Sequence, residues 1–135
     1  MGKLRHIAIT AEDPDAAATF YENTFGMERV WSREIGVMLT DGTVSMAVLR
    51  FPTDEMAGDE RGKDFFGLHH IGFVVDDLDA SAAAVEEHGG KYHMQVPHLE
   101  GHDEADTEHK YLDPNGVVFD IVNNSYATGS WGAKP

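Results

Sequence analysis

The sequence predicts an α+β fold built from two copies of one βαβββ unit, and three observations carry that prediction. The segment Leu4-Arg5-His6-Ile7-Ala8-Ile9 returns 64 residues later as Leu68-His69-His70-Ile71-Gly72-Phe73. The same offset maps Asp15 onto Asp79 and Gly26 onto Gly90. Within each copy, a run alternating with period two leads into an alanine-rich helical stretch and then into further strand-like runs. A chain that repeats one supersecondary unit buries the copies against each other, because neither hides its apolar face alone.

Residues 4–10 place Leu4, His6, Ala8 and Thr10 on one face and Arg5, Ile7 and Ile9 on the other, a strand pattern. Asp13 or Asp15 is available as a helix N-cap, with Pro14 at a permitted early position. Ala16 to Phe25 reads as a helix with an apolar stripe of Ala17, Phe20, Tyr21 and Phe25, stopped at Gly26. Met27–Ser32, Gly36–Thr40 and Thr43–Phe51 read as strands, the last two joined by the turn Asp41-Gly42. The first module spans about 4–52. A polar, glycine-containing linker follows at about 53–66, beginning Thr53-Asp54-Glu55 and ending at Phe65 and Phe66. These two rings either plug the seam between modules or form a lid over a pocket, and the plug is the simpler expectation.

The second module, about 67–124, repeats the order. His69–Val75 is a strand, Asp77 or Asp79 caps a helix over 80–88, and Gly89-Gly90 ends it. Lys91–Val96, Glu108–Leu112 and Val117–Asn123 are the remaining strands, with Asp113-Pro114-Asn115-Gly116 as a reverse turn. The tail, 125–135, has no clear pattern, although Tyr126 and Trp131 offer apolar rings to a surface or a partner subunit. The whole chain, 1–135, is expected to be one domain.

Composition excludes several functions. There is no cysteine, so disulfides and thiolate chemistry are ruled out. A formal net charge of −14 repels phosphate backbones and anionic lipid, which argues against nucleic-acid and membrane-surface partners. No apolar run approaches a membrane span and the first residues lack a signal-peptide core, so a cytoplasmic location is expected.

Strand parity points to the chemistry. His6 shares a face with Ala8 and Thr10, and His70 with Gly72 and Val74; small residues beside an imidazole leave room for a cavity. Asp120, within Val-Val-Phe-Asp-Ile-Val, points away from the face that Phe119 and Ile121 bury, and a buried acid needs a partner or a cation. Two imidazoles and one carboxylate on one side of a sheet give a facial triad that suits Fe(II) with open positions for substrate and O₂. His93, His98 and His102, between His88 and His109, form a second His/acid cluster, expected to be a solvated loop rather than a second metal site.

These residues resemble the vicinal oxygen chelate superfamily of glyoxalases, bleomycin-resistance proteins and extradiol dioxygenases. The resemblance is carried by Arg-His-Ile-Ala-Ile, Ala-Ala-Ala-Thr-Phe-Tyr-Glu-Asn-Thr-Phe-Gly-Met, His-His-Ile-Gly-Phe-Val-Val-Asp-Asp-Leu and Leu-Asp-Pro-Asn-Gly-Val-Val-Phe-Asp-Ile. It implies paired modules forming a cup-shaped, curved mixed sheet around a divalent metal, with His6, His70 and Asp120 as ligands. Asp120 stands where the family usually has Glu. Aligning the two hairpin turns sets Met46 opposite Asp120, so no fourth ligand is expected, which looks more like the dioxygenases than glyoxalase I.

An extradiol-type dioxygenase is therefore the leading expectation, with Fe(II) favoured over Mn, Ni or Zn and a small vicinal-oxygen molecule as substrate. His109 and Tyr111, two apart on one strand face, are the expected acid–base groups. The first alternative is a glyoxalase-type lyase or isomerase, whose base would be Glu12, His109 or a partner residue. The second is a metal-free drug- or metabolite-binding protein with Phe65, Phe66, Tyr111 and Trp31 as cavity walls. The resemblance also implies a homodimer.

Overall fold

The repeat meets itself at Ile7 and Ile71, which face each other in an antiparallel pairing between β1 (Lys3–Thr10) and β5 (Gly67–Val74). On either side of that pair, His6 lies opposite Gly72 and Ala8 opposite His70. An antiparallel pairing of two equivalent strands is self-symmetric. Residues that correspond in the two copies are thereby set diagonally across the seam on one face, and the His6 and His70 ring centroids lie 5.6 Å apart. Register shifts between Leu4 and His6 and between Ala8 and Ile9 mark irregularities of the kind that bend a sheet.

The computed structural model describes residues 2–95 and 108–135. After β1 come α1 (Pro14–Phe25), β2 (Glu28–Arg33), β3 (Gly36–Thr40), β4 (Ser45–Leu49) and a one-turn helix α2 (Asp54–Ala57). After β5 come α3 (Leu78–Glu87), β6 (Lys91–Gln95), β7 (His109–Leu112), β8 (Val118–Val122), α4 (Asn124–Tyr126) and a π-helical turn, Ala127–Trp131. The eight strands form one curved mixed sheet in the order β2-β3-β4-β1-β5-β8-β7-β6. In each half the first strand runs parallel to the last, β1 beside β4 and β5 beside β8. Val96, His98 and His102 fall outside the described residues. No helix among the described residues is long and apolar enough to cross a membrane.

Local sequence explains the boundaries. The Asp13 and Asp77 side chains accept hydrogen bonds from the Ala16 and Ala80 amides at the starts of α1 and α3. Gly26 ends α1 in the left-handed conformation (φ 70°). The linker is more structured than its composition suggests: Thr53 Oγ1 caps α2 by accepting from the Met56 amide, and Gly58 closes it. The convex face is covered by the two longer helices. Ala18 of α1 packs on Val37, Leu39 and Val48, and under α3 lie Val75, Tyr111 and Ile121.

The concave face is filled by the chain's own end. The tail, expected to lack pattern, is helical because Asn123 Oδ1 accepts from the Tyr126 amide, and it folds back into the cup. Trp131 is fully buried there and stacks on His6 with centroids 4.3 Å apart and planes 8° from parallel. Trp31 Nε1 donates to the Ser130 carbonyl, Thr40 Oγ1 donates to the Gly132 carbonyl and the Lys134 amide donates to the Thr43 carbonyl, fixing the tail to the first module. The space left by the missing side chain at Gly72 is occupied: a Cβ there would stand 2.7 Å from the Trp131 ring and 2.9 Å from His6 Cβ. Gly72→Ala is therefore expected to push the indole off His6 and cost about 1–3 kcal/mol, as overpacking does. Urea unfolding of the two proteins measures this, and equal midpoints would contradict it.

Candidate metal and acid–base site

His6, His70 and Asp120 converge. One ligand atom from each lies within 4.8 Å of the others, and all three side chains are buried. They come from the three central strands of the concave face: β1, β5 and, beside β5, β8, where Asp120 lies opposite Gly72.

Each imidazole is held from behind. Ser45, directly across from His6 in β4, places its Oγ 2.6 Å from His6 Nδ1 and contacts the Arg5 carbonyl at 3.4 Å. If Ser45 donates to that carbonyl, Nδ1 of His6 carries the proton and Nε2 is bare. His70 Nδ1 lies 2.8 Å from His69 Nδ1, and His70 Nε2 faces Lys110 Nζ at 3.5 Å. Both rings stay neutral. Burial, then the neighbouring His70, lowers the His6 pKa from 6.5 to about 3. Burial, then the Lys110 charge, takes His70 well below its ordinary value. Neutral imidazole is the metal-binding form.

Two side chains absent from the sequence expectations complete the site. Lys110 Nζ is 2.6 Å from Asp120 Oδ1 and is itself buried. Glu108 accepts a hydrogen bond from Trp131 Nε1 at 2.8 Å, and the Tyr126 hydroxyl bonds the same carboxyl. Burial pushes the Glu108 pKa up, and the negative Asp120 adds to the effect. Burial, then the Glu108 charge, raises Tyr126. Lys110, Glu108 and the two histidines line one cavity of about 110 Å³ whose other walls are mostly apolar, among them Met38, Met56, Met94 and Trp31, with Arg33 at its edge over the Trp31 ring.

The expected acid–base pair lies elsewhere. His109 and Tyr111 do share a face, but it is the convex one: Tyr111 stacks on Phe119 and packs with Val75 and Ile121 under α3. The strand register decides this. β7 pairs with β8 so that Lys110 faces Asp120 and Tyr111 faces Phe119, which puts Lys110 on the cavity side. That register was implicit in the turn, where the Asp113 amide donates to the Val117 carbonyl and sets Leu112 against Val118. Neither Phe65 nor Phe66 lines the cavity; Arg61 lies over Phe65, and Phe66 is exposed. Glu12 lines a separate surface hollow. Trp31 is a cavity wall, as the binding-protein alternative required. His93 hydrogen-bonds the Gly58 carbonyl.

The position opposite Asp120 also needs correction. Ala47 pairs with Ala8 as Asp120 pairs with Gly72, so Ala47, not Met46, is the counterpart of the carboxylate. Two turn residues follow Gly42 before β4 but only one follows Gly116 before β8, so matching the two glycines sets the strands one residue out of step. Met46 packs on the α1 side, while Ala47 faces the cavity with nothing to donate. Among the described residues, three donors therefore converge from these positions. Their chemistry fits a divalent ion: Asp120 Oδ2 is buried without a hydrogen-bond partner, 3.1 Å from His70 Nε2. An unpartnered carboxylate oxygen beside a neutral imidazole nitrogen is relieved by a cation, and two nitrogens with one oxygen suit first-row metals.

Solved structures with the same architecture include a variant of the Streptomyces coelicolor methylmalonyl-CoA epimerase in complex with 2-nitronate-propionyl-CoA. It is 26% identical, with 90% of this chain and 96% of that chain covered and a TM-score of 0.67. A methylmalonyl-CoA epimerase in complex with methylmalonyl-CoA and NH4+ is 25% identical, covering 91% and 94%, with a TM-score of 0.65. The Mycobacterium tuberculosis methylmalonyl-CoA epimerase shares the fold at 20% identity, covering 89% and 86%, with a TM-score of 0.56. No curated protein sequence gives a significant match. Residues 3–121 match the Glyoxalase/Bleomycin resistance protein/Dioxygenase superfamily profile, and the chain belongs to that superfamily.

Proposed function

We propose that this protein is a divalent-metal-dependent enzyme that moves a proton on a carbon adjacent to a chelating oxygen of a small substrate, an isomerase- or lyase-type reaction. The observation that carries the reading is that Lys110 and Glu108 line the same cavity as His6 and His70, with Lys110 paired to Asp120. His6, His70 and Asp120 would hold the ion, whose positive charge would stabilise negative charge developing on a substrate oxygen.

The chain's own residues supply the rest. Lys110 Nζ stands beside Asp120 and His70, where it can hold or release a proton toward a substrate carbon. Glu108, whose pKa burial raises, is suited to carry a proton, and Trp131 and Tyr126 fix its carboxyl by hydrogen bonds. The apolar walls keep water from the reacting carbon. A cavity of about 110 Å³ takes an acyl or keto-acid head and leaves any larger carrier outside. The likeness to methylmalonyl-CoA epimerases at 25–26% identity supports the same reaction class. The dioxygenase reading keeps one observation in its favour, the three-donor set with Ala47 opposite, but His109 and Tyr111 are not placed to assist it.

Metal analysis of the purified protein, deuterium uptake from D₂O into acyl thioesters and 2-oxo acids, and O₂ uptake with catechols separate the readings. Metal with deuterium incorporation is expected. Oxygen consumption without incorporation would establish the dioxygenase instead, and protein that takes up no metal would leave the binding-protein reading. His70→Ala is expected to lose metal and activity together. Lys110→Met is expected to keep its metal while exchange falls about 10²–10⁴-fold, the usual share of one acid–base group; unchanged exchange would remove Lys110 from the mechanism.

The neutral imidazole at His6 has a pH signature in the metal-free protein. Between 6.5 and about 3 the unfolded chain binds a proton at His6 that the folded chain does not, so this residue's contribution to stability falls as the pH drops through that window. The stability advantage of the wild type over His6→Asn is expected to shrink by on the order of 1 kcal/mol per pH unit on acidification. Denaturant titrations at pH 7, 6 and 5 check this, and an advantage that grows toward acid would contradict it.

A further inference from the structure

We infer that His69 and Asp59 are positioning residues that fix His70 in the tautomer presenting bare Nε2 to the metal position. The inference rests on the metal-site reading above but is argued from hydrogen-bond direction. Lys110 Nζ is donor-only and faces His70 Nε2 at 3.5 Å, whereas Asp120 Oδ2, 3.1 Å from the same nitrogen, makes no hydrogen bond with it, so that nitrogen is the acceptor. The His70 proton then sits on Nδ1 and is donated to His69 Nδ1, 2.8 Å away. His69 must accept at Nδ1 and carry its own proton on Nε2. That nitrogen is buried and lies 3.3 Å from Asp59 Oδ2, too oblique for a hydrogen bond but close enough for the carboxylate to favour a proton there.

Asp59 is in turn held ionised. Burial works against its charge, but hydrogen bonds from the Arg61 guanidinium and the Arg61 amide, with the nearby His69, outweigh that and lower its pKa. Arg61 Nη2 and Nε lie 2.6 and 3.1 Å from Asp59 Oδ2, and the same guanidinium donates to the Leu68 and His69 carbonyls at 3.0 Å. The segment that joins the two modules is thereby fastened to the first residues of β5 and backs a ligand with a carboxylate–imidazole pair. A ligating histidine commonly gives its second N–H to a carboxylate or carbonyl, which fixes its orientation and strengthens it as a donor. Here a second imidazole stands between ligand and carboxylate.

The test compares His69→Leu, His69→Asn and Asp59→Asn with the wild type by Co²⁺ and Zn²⁺ titration of the folded proteins and by long-range ¹⁵N–¹H NMR of the metal-free proteins. Asparagine sets a carbonyl oxygen where His69 Nδ1 stood, so His69→Asn is expected to hold metal within a few-fold of wild type. His69→Leu is expected to lose about 10–100-fold in affinity, the usual cost of removing such a support. Asp59→Asn should fall between them. Equal affinity in His69→Leu and the wild type would overturn the inference. So would a His70 proton on Nε2 in the wild-type spectrum, a readout that stands even if no metal binds. Absence of metal binding by a wild type that shows the expected tautomer would count against the enzyme reading alone.

Discussion

The antiparallel contact between β1 and β5, with Ile7 against Ile71, is the constraint on which the remaining structure depends. It joins two four-stranded halves into one sheet, and its symmetry sets equivalent residues of the two copies across one seam. No individual hydrogen bond in the ladder is strong, each contributing about 1 kcal/mol net. The register nevertheless admits no slip, because moving one strand by a single residue would turn His70, Gly72 and Val74 to the helix-covered side and Ile71 and Phe73 into the cup. Apolar burial on both faces thus fixes the position of the polar centre.

Burial then determines the state of that centre. The same desolvation that keeps His6 and His70 neutral raises Glu108, so burial shifts every one of these groups toward its uncharged form. Lys110 pairs with Asp120 in the same space, and the two charges are balanced without reaching water. Trp131 joins the halves of the arrangement, since its ring lies on a histidine of the first module while its N–H holds an acid of the second.

Much of this was legible in the sequence. The echo of Arg-His-Ile-Ala-Ile in His-His-Ile-Gly-Phe exposed the duplication, and strand parity was enough to bring His6, His70 and Asp120 to one face. What parity alone could not supply was register. Lys110 sits between His109 and Tyr111, which look more like catalytic groups, and only the pairing of β7 with β8 shows which of the three faces inward. Glu108 and Trp131 were hidden for another reason: they meet across 23 positions of chain, through a tail whose helicity depends on one capping asparagine and on tertiary packing. The order of the linker is hidden for the same reason, since Asp59 and Arg61 are ordinary surface charges until β5 is laid beside them.

The two equivalent positions carry different side chains, and this has an evolutionary implication. Ala47 offers a methyl group where its counterpart Asp120 offers a carboxylate. Exchanging alanine for an acidic residue takes one nucleotide substitution, and at Ala47 that change would direct a carboxylate toward His6, His70 and Asp120 from a strand already in place. Donor number in this scaffold can therefore drift between lineages by point mutation at one codon, with the backbone as a bystander.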